Sequence, residues 1–207
     1  MRYLYIDTSS SFLYSAIVEN NTLIEEVKQE FGHNLSEEAM PAIISMFEKS
    51  KLNAKDIDKI IVVNGPGSFT GIRIGITIAK VYAWSLNIPI TTITSIEAMA
   101  VSTNINTYKV PMLDARRGYV FTGIFDSENN VILEPSYLKK EELNDKLTDL
   151  NVFTVITNDN TIDYQNQESY TPDFLKIIEK FKDKENLNPH GVNPNYLKLT
   201  EAEESKL

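Results

Sequence analysis

The sequence predicts an α/β fold built on a duplicated βββαβα core, with the second copy curtailed. Three observations point to it. The first is an internal repeat half a chain apart. Tyr3-Leu4-Tyr5-Ile6-Asp7, a four-residue gap and Phe12-Leu13-Tyr14-Ser15-Ala16-Ile17-Val18 are matched by Val110-Pro111-Met112-Leu113-Asp114, a four-residue gap and Tyr119-Val120-Phe121-Thr122-Gly123-Ile124-Phe125. The second is a pair of Asn-Asn turns, Asn20-Asn21 and Asn129-Asn130, each leading into a third β-rich run. Such turns between β-rich runs are hairpin signals. The third is a glycine-rich junction, residues 64–75, that joins an apolar strand to a helix in the first half only.

The remaining elements follow in order. A helix is predicted over 36–50, with Ser36 as its N-cap and Pro41 marking its true start or a kink. Lys59-Ile60-Ile61-Val62-Val63 reads as a buried strand, residues 70–86 as a helix, and 88–93 as a short strand. Isoleucines at 72, 74, 76 and 78 alternate like a strand, but the length of the run and the preceding glycine loop favour helix. Ser95 can cap a helix over 96–103. The second half repeats βββ, then a helix 140–148 and a strand 152–156. Residues 158–171 are polar and aperiodic, a long loop, and a helix over 172–183 precedes a tail with an acidic end. Two such halves, 1–104 and 105–207, form the actin/hexokinase/Hsp70 (ASKHA) type of architecture. In that fold the Asp ending each half's first strand faces a nucleotide cleft.

Composition narrows the function classes. The 207 residues are 42% hydrophobic and 24% charged, an ordinary globular balance. The absence of cysteine excludes disulfides, thiolate catalysis and cysteine metal sites. Net charge is −9, concentrated in residues 126–207, and no Lys/Arg cluster exceeds a pair. Nucleic-acid binders carry a basic patch, so any RNA contact is expected to come mainly from another subunit. The N-terminus meets an acid at Asp7 and no window has the roughly 18 apolar residues of a membrane span. A cytoplasmic chain with no membrane contact is expected.

The junction Asn64-Gly65-Pro66-Gly67-Ser68-Phe69-Thr70-Gly71-Ile72-Arg73-Ile74-Gly75 is neither a Walker loop nor a dinucleotide fingerprint. Its glycines let backbone N–H groups converge at a helix N-terminus, where anions bind, and Ser68 or Thr70 can cap the helix. A tight strand–helix turn without ligand explains the spacing equally well. Asp7 and Asp114 fit either a hydrated Mg²⁺ held across a cleft or plain turn capping. Arg116-Arg117 suits an anion or an ion-paired turn. Gly71, Gly75, Ala79 and Ala83 form a small-residue stripe along a helix that carries only two charges, Arg73 and Lys80. That stripe suits close approach of a partner helix or of the chain's own elements.

As a string, the junction resembles the signature of the TsaB family (formerly YeaZ), paralogues of the threonylcarbamoyl transferase TsaD. Asp7-Thr8-Ser9, Asp114-Ala115-Arg116-Arg117-Gly118-Tyr119-Val120-Phe121 and Pro194-Asn195-Tyr196-Leu197-Lys198 are similar to further family motifs. The chain departs from the pattern at Leu35, where similar proteins carry His before Ser-Glu; His33 lies two residues earlier. The resemblance implies a non-catalytic partner needed by TsaD and the ATPase TsaE to place threonylcarbamoyl on adenosine beside the tRNA anticodon (t6A), with TsaC supplying the activated group. It implies docking through the first two helices, a homodimer in isolation, and tRNA reached only indirectly. No intrinsic cofactor is expected, with ATP or ADP confined to the complex interface. Candidate nucleotide or anion contacts are Asp7, Thr8, Ser9, Gly65, Gly67, Ser68, Thr70, Asp114 and Arg116. Candidate interface residues are Leu35, Ala39, Ile43, Gly71, Gly75, Ile76, Ala79 and Ala83.

His33 and His190 stand in unrelated contexts, unlike the His-x-x-x-His metal helix of the catalytic paralogue, so no metal or catalytic residue is assigned. The same absence argues against a glycoprotease-like peptidase. An ATP-dependent phosphotransferase of the same fold is the alternative enzyme. Half its phosphate cradle is missing, because the turns after Asp7 and Asp114 are not glycine turns and 157–160 has no glycine loop.

Overall fold

A computed structural model describes residues 1–198. The chain forms two compact units, one of residues 1–95 with 172–195, the other of residues 96–171 with the segment that begins at Tyr196.

In the first unit, β1 (Arg2–Asp7), β2 (Phe12–Glu19) and β3 (Thr22–Glu30) make an antiparallel meander. Asn20 and Asn21 take φ values of 46° and 62° at the β2–β3 turn, the left-handed pair that a two-residue hairpin requires and asparagine tolerates. α1 (Leu35–Ser50) then crosses back, and β4 (Lys59–Val63) pairs parallel with β1, Leu4 opposite Ile60. α2 (Phe69–Leu86) leads to β5 (Ile90–Ile93), giving the sheet order β3-β2-β1-β4-β5. α3 (Ser95–Val101) opens at the boundary between the units.

The second unit repeats this plan. β6 (Tyr108–Asp114), β7 (Tyr119–Phe125) and β8 (Val131–Lys139) form the meander, and α4 (Lys140–Thr148) precedes β9 (Phe153–Ile156). β9 pairs parallel with β6, as β4 does with β1. β10 (Gln167–Glu168) pairs parallel with β9, so the order β10-β9-β6-β7-β8 is that of the first sheet. This is the expected duplicated ASKHA core. β10 lies inside the stretch expected to be loop; two polar residues carry no periodicity and are held by their neighbour strand alone. Nothing between β9 and β10 corresponds to α2, which is the curtailment. α5 (Phe174–Phe181) belongs to the first unit, where Phe174 meets Tyr5 with ring centroids 5.4 Å apart.

Two expected caps differ. A 3-10 turn, Gly32–Asn34, runs into α1, so Ser36 lies inside the helix and Pro41 well within it. Ser95 Oγ donates to the Pro66 carbonyl at 2.6 Å instead of capping α3, which ties the glycine loop to the end of β5.

The contact that positions the first unit is between α2 and β1. A Cβ at Gly71 would collide with the Thr8 carbonyl oxygen, and one at Gly75 with Thr8 Oγ1. Thr8 Oγ1 closes the gap by donating to the Gly71 carbonyl at 2.7 Å. Backbone this close leaves no room for an added methyl, and overpacking of this kind costs about 1–3 kcal/mol. Gly71→Ala should therefore lower stability by that order in urea unfolding. Gly191→Ala, where an added Cβ meets nothing, should unfold within about 0.5 kcal/mol of wild type.

Candidate functional site

The β1 turn, the glycine junction and Asn195 converge in the first unit. Ser68 N–H donates to the Ser9 carbonyl at 2.7 Å, and Asn195 N–H to the Asn64 carbonyl at 2.7 Å. A Cβ at Gly67 would strike the Ser9 carbonyl, and one at Gly65 the Asn195 carbonyl. Gly65 and Gly67 also have positive φ, 120° and 149° respectively, which side chains rarely adopt. Chain-to-chain approach therefore explains each glycine of the junction. Ser68 Oγ accepts from Gly71 N–H at 3.2 Å as the N-cap of α2, as expected, while Thr70 lies exposed in the helix.

Asp7 is buried at the end of β1. Its Oδ1 accepts from Ser9 N–H at 2.8 Å and its Oδ2 from the Tyr5 hydroxyl at 3.4 Å. This is the turn-capping role. Burial pushes the carboxyl above the ordinary carboxylate range, against the lowering effect of the Ser9 and Tyr5 bonds. In the second unit, Asp114 N–H donates to Asp159 Oδ2 at 3.3 Å. Arg116 and Arg117 sit exposed in the following turn with φ of 66° and 53°. Among the described residues, no group of three or more His, Cys, Asp or Glu could hold a metal ion. His33 and His190 lie exposed on separate 3-10 turns.

The eight expected interface residues require a correction. Leu35, Ala39, Ile43, Gly71, Gly75, Ile76, Ala79 and Ala83 are all buried within this chain. The six with side chains beyond hydrogen join Leu4, Ile6 and Ile60 in the first unit's core. Gly71 and Gly75 serve the approach of α2 to the end of β1, and Ala79 and Ala83 pack into the same core, where bulk is excluded as it would be against a partner helix.

The opposite faces are the open ones. On α2, Phe69, Arg73, Thr77, Val81 and Trp84 recur at helical spacing and are exposed, with Phe69 at 55%, Val81 at 58% and Trp84 at 64%. On α1, Met40 and Ile44 are exposed at 42% and 47%. Met40 and Ser36 of α1, with Phe69, Arg73 and Thr77 of α2, line a groove of about 410 Å³. Arg73 lies over the Phe69 ring at 3.8 Å. A partial signal was present in the sequence: beside the small stripe, α2 carries three large apolar residues, Phe69, Val81 and Trp84, on one helical face.

Comparison with known proteins decides the family. Residues 17–159 match the family described as tRNA N6-adenosine threonylcarbamoyltransferase, TsaD. The tRNA threonylcarbamoyladenosine biosynthesis protein TsaB of Bacillus subtilis is 34% identical over 98% of this chain and 96% of its own length. This chain belongs to the TsaB family. A second family member, from Buchnera aphidicola of Schizaphis graminum, is 28% identical over 84% of this chain and 86% of its own. The solved YeaZ of Pseudomonas aeruginosa superimposes with a TM-score of 0.75 at 16% identity, covering 95% of this chain and 99% of that one. A further structure, of a protein with similarity to peptidase YEAZ from Pseudomonas aeruginosa, gives 0.78 at 17% identity over the same shares. At such identities the likeness concerns the fold.

Two substitutions test these placements. A carboxyl whose folded pKa is raised contributes stability that is complete below the unfolded value of about 3.8 and is lost as pH rises through the folded value. Asp7→Asn keeps an acceptor for Ser9 and removes the buried charge. Relative to wild type it should gain stability between pH 4 and pH 7.5 in urea unfolding; a pH-independent difference would contradict a buried carboxyl whose pKa is raised. Ala79→Arg places a charge in the first unit's core, where unpaired burial is costly, and should leave no cooperative thermal transition at 25 °C or above.

Proposed function

We propose that this chain is a non-catalytic subunit in t6A biosynthesis, acting by docking a TsaD-type transferase on the outward face of α1 and α2. Family membership supports the pathway. The exposed apolar residues Phe69, Val81 and Trp84 of α2 and Met40 and Ile44 of α1, with the groove that Met40 and Phe69 share, carry the docking assignment. Exposed apolar surface of this continuity marks association sites, and buried Trp anchors dominate interface energies. A second copy of the chain occupies the same face when the transferase is absent. TsaE joins the assembly and TsaC supplies the activated threonylcarbamoyl group.

Reconstitution is the direct test. The isolated chain should leave tRNA unmodified and hydrolyse neither peptides nor ATP at ordinary enzyme rates of about 1 per second or more. With its TsaD, TsaE and TsaC counterparts it should restore t6A, read by nucleoside mass spectrometry. Turnover by the lone chain would refute the helper role.

Ile44→Glu with Val81→Glu tests the face. Both positions are exposed, so the melting temperature should shift little. Co-elution with TsaD and self-association by light scattering should both weaken more than about tenfold, the size of a hot-spot loss. Unimpaired binding would place the interface elsewhere.

A further inference from the structure

We infer that the end of the β7–β8 hairpin in the second unit is a contact site for a short single-stranded stretch of RNA. The site combines a stack of aromatic rings with a concentration of cations. Val120 points into the second unit's core with Val110, Met112 and Leu143. Strand side chains alternate between faces, so Tyr119 and Phe121 stand on the other face, where Phe121 pairs in register with Tyr137. Tyr119 and Tyr137 stack with centroids 4.6 Å apart at 6°, and Phe121 adjoins Tyr137 at 5.4 Å. All three rings are partly exposed.

Cations gather at this same end. Among the described residues of the second unit, Lys and Arg occupy positions 109, 116, 117, 139, 140, 146 and 198. Lys109 is buried and spent on Asn129 Oδ1 at 2.7 Å. Five of the other six meet at the hairpin end. Lys139 pairs in register with Tyr119, and Lys140 N–H donates to the Gly118 carbonyl at 2.8 Å, which sets both lysines beside the Arg116-Arg117 turn. Lys139 Nζ lies 6.0 Å from the Tyr119 ring centre and Lys198 Nζ 5.7 Å from that of Tyr137. Glu141 and Glu142 follow in the first turn of α4 and Lys140 faces Asp159, so the positive surface is confined to the turn and the ring faces.

That pairing selects the ligand. An acidic peptide would satisfy the cations but offers no planar faces to the rings. A single-stranded nucleic acid offers both, since bases stack on aromatic side chains while the backbone follows the charges. The ammonium groups of Lys139 and Lys198 are exposed and can exchange a ring face for a phosphate as a base moves in. RNA is the form favoured by the family's tRNA substrate. The site amends the expectation that tRNA is reached only indirectly. It does not depend on the docking reading, because it is tested on the chain alone.

The probe is a fluorescein-labelled 12-nucleotide single-stranded RNA of mixed sequence, titrated with the full chain at low salt and read by anisotropy. A dissociation constant between about 1 and 100 µM is expected, weakening with salt as phosphate contacts do. Arg116→Glu with Arg117→Glu, both on an exposed turn, should weaken binding about tenfold or more and flatten the salt dependence. The single reversal Lys146→Glu, away from the hairpin end, should change affinity less than about twofold, and Arg116→Glu alone should exceed that. Tyr137→Leu should cost about fivefold or more, the loss of one stacked base, and Tyr137→Phe should restore it. The inference is overturned by absent binding up to about 500 µM, by equal binding of an acidic peptide of matched charge, or by Arg116/Arg117 reversal without effect. A folded Tyr137→Leu variant that binds like wild type overturns it too.

Discussion

The first unit depends on how closely α2 lies on β1. Gly71 and Gly75 let the helix backbone reach Thr8, and the Thr8 hydroxyl fills the space with a hydrogen bond to Gly71. Once α2 is held there, the remaining geometry follows. Ser68 caps the helix, its N–H reaches Ser9, and Asp7 is buried under the turn it caps. The same rotation of α2 turns Ile72, Ile76 and Ala79 into the core with Ile43 and Met46 of α1. It leaves Phe69, Val81 and Trp84 on the outside. A helix with apolar residues on both faces is thus divided between a core and a surface by two glycines.

The duplication shows what has been kept and what has diverged. Both sheets have one strand order, and in both the strand ending in Asp stands at the centre between an antiparallel neighbour and a parallel one. The two Asp residues differ in environment. Asp7 is buried with both oxygens engaged, whereas Asp114 is partly exposed and its turn carries two arginines in left-handed conformations. The first copy has put its glycine loop to use in packing, against Ser9 and Asn195. The second copy has no α2, and its turn after Asp114 carries Arg116-Arg117 where the first copy has Ser9-Ser10.

Residues that could cradle an anion in the first unit, Thr8, Ser9 and Ser68, are engaged with one another and with Gly71. What the chain offers outward is an apolar face on two helices and a compact aromatic and basic corner on a hairpin. Each belongs to one unit and is complete within it.

Much of the fold was legible in the sequence because it is encoded locally. The repeat of strand, Asp, turn and strand, the Asn-Asn turns and the long apolar helix each carry their own period or turn chemistry, and the elements formed at nearly the expected bounds. The family, too, was readable from short strings such as 64–75 and 114–121. What the sequence could not decide was orientation and partnership. Gly71, Gly75, Ala79 and Ala83 state only that something approaches closely, and what approaches is the end of β1 at the glycines and the chain's own core at the alanines. β10 exists only because β9 lies beside it, and Ser95 turned from cap to tether because the Pro66 carbonyl came within reach. Nor could residue counts show that five scattered cations meet at one hairpin end. Spacing along a chain determines which residues share a face; which face meets the core is settled by packing between elements distant in sequence.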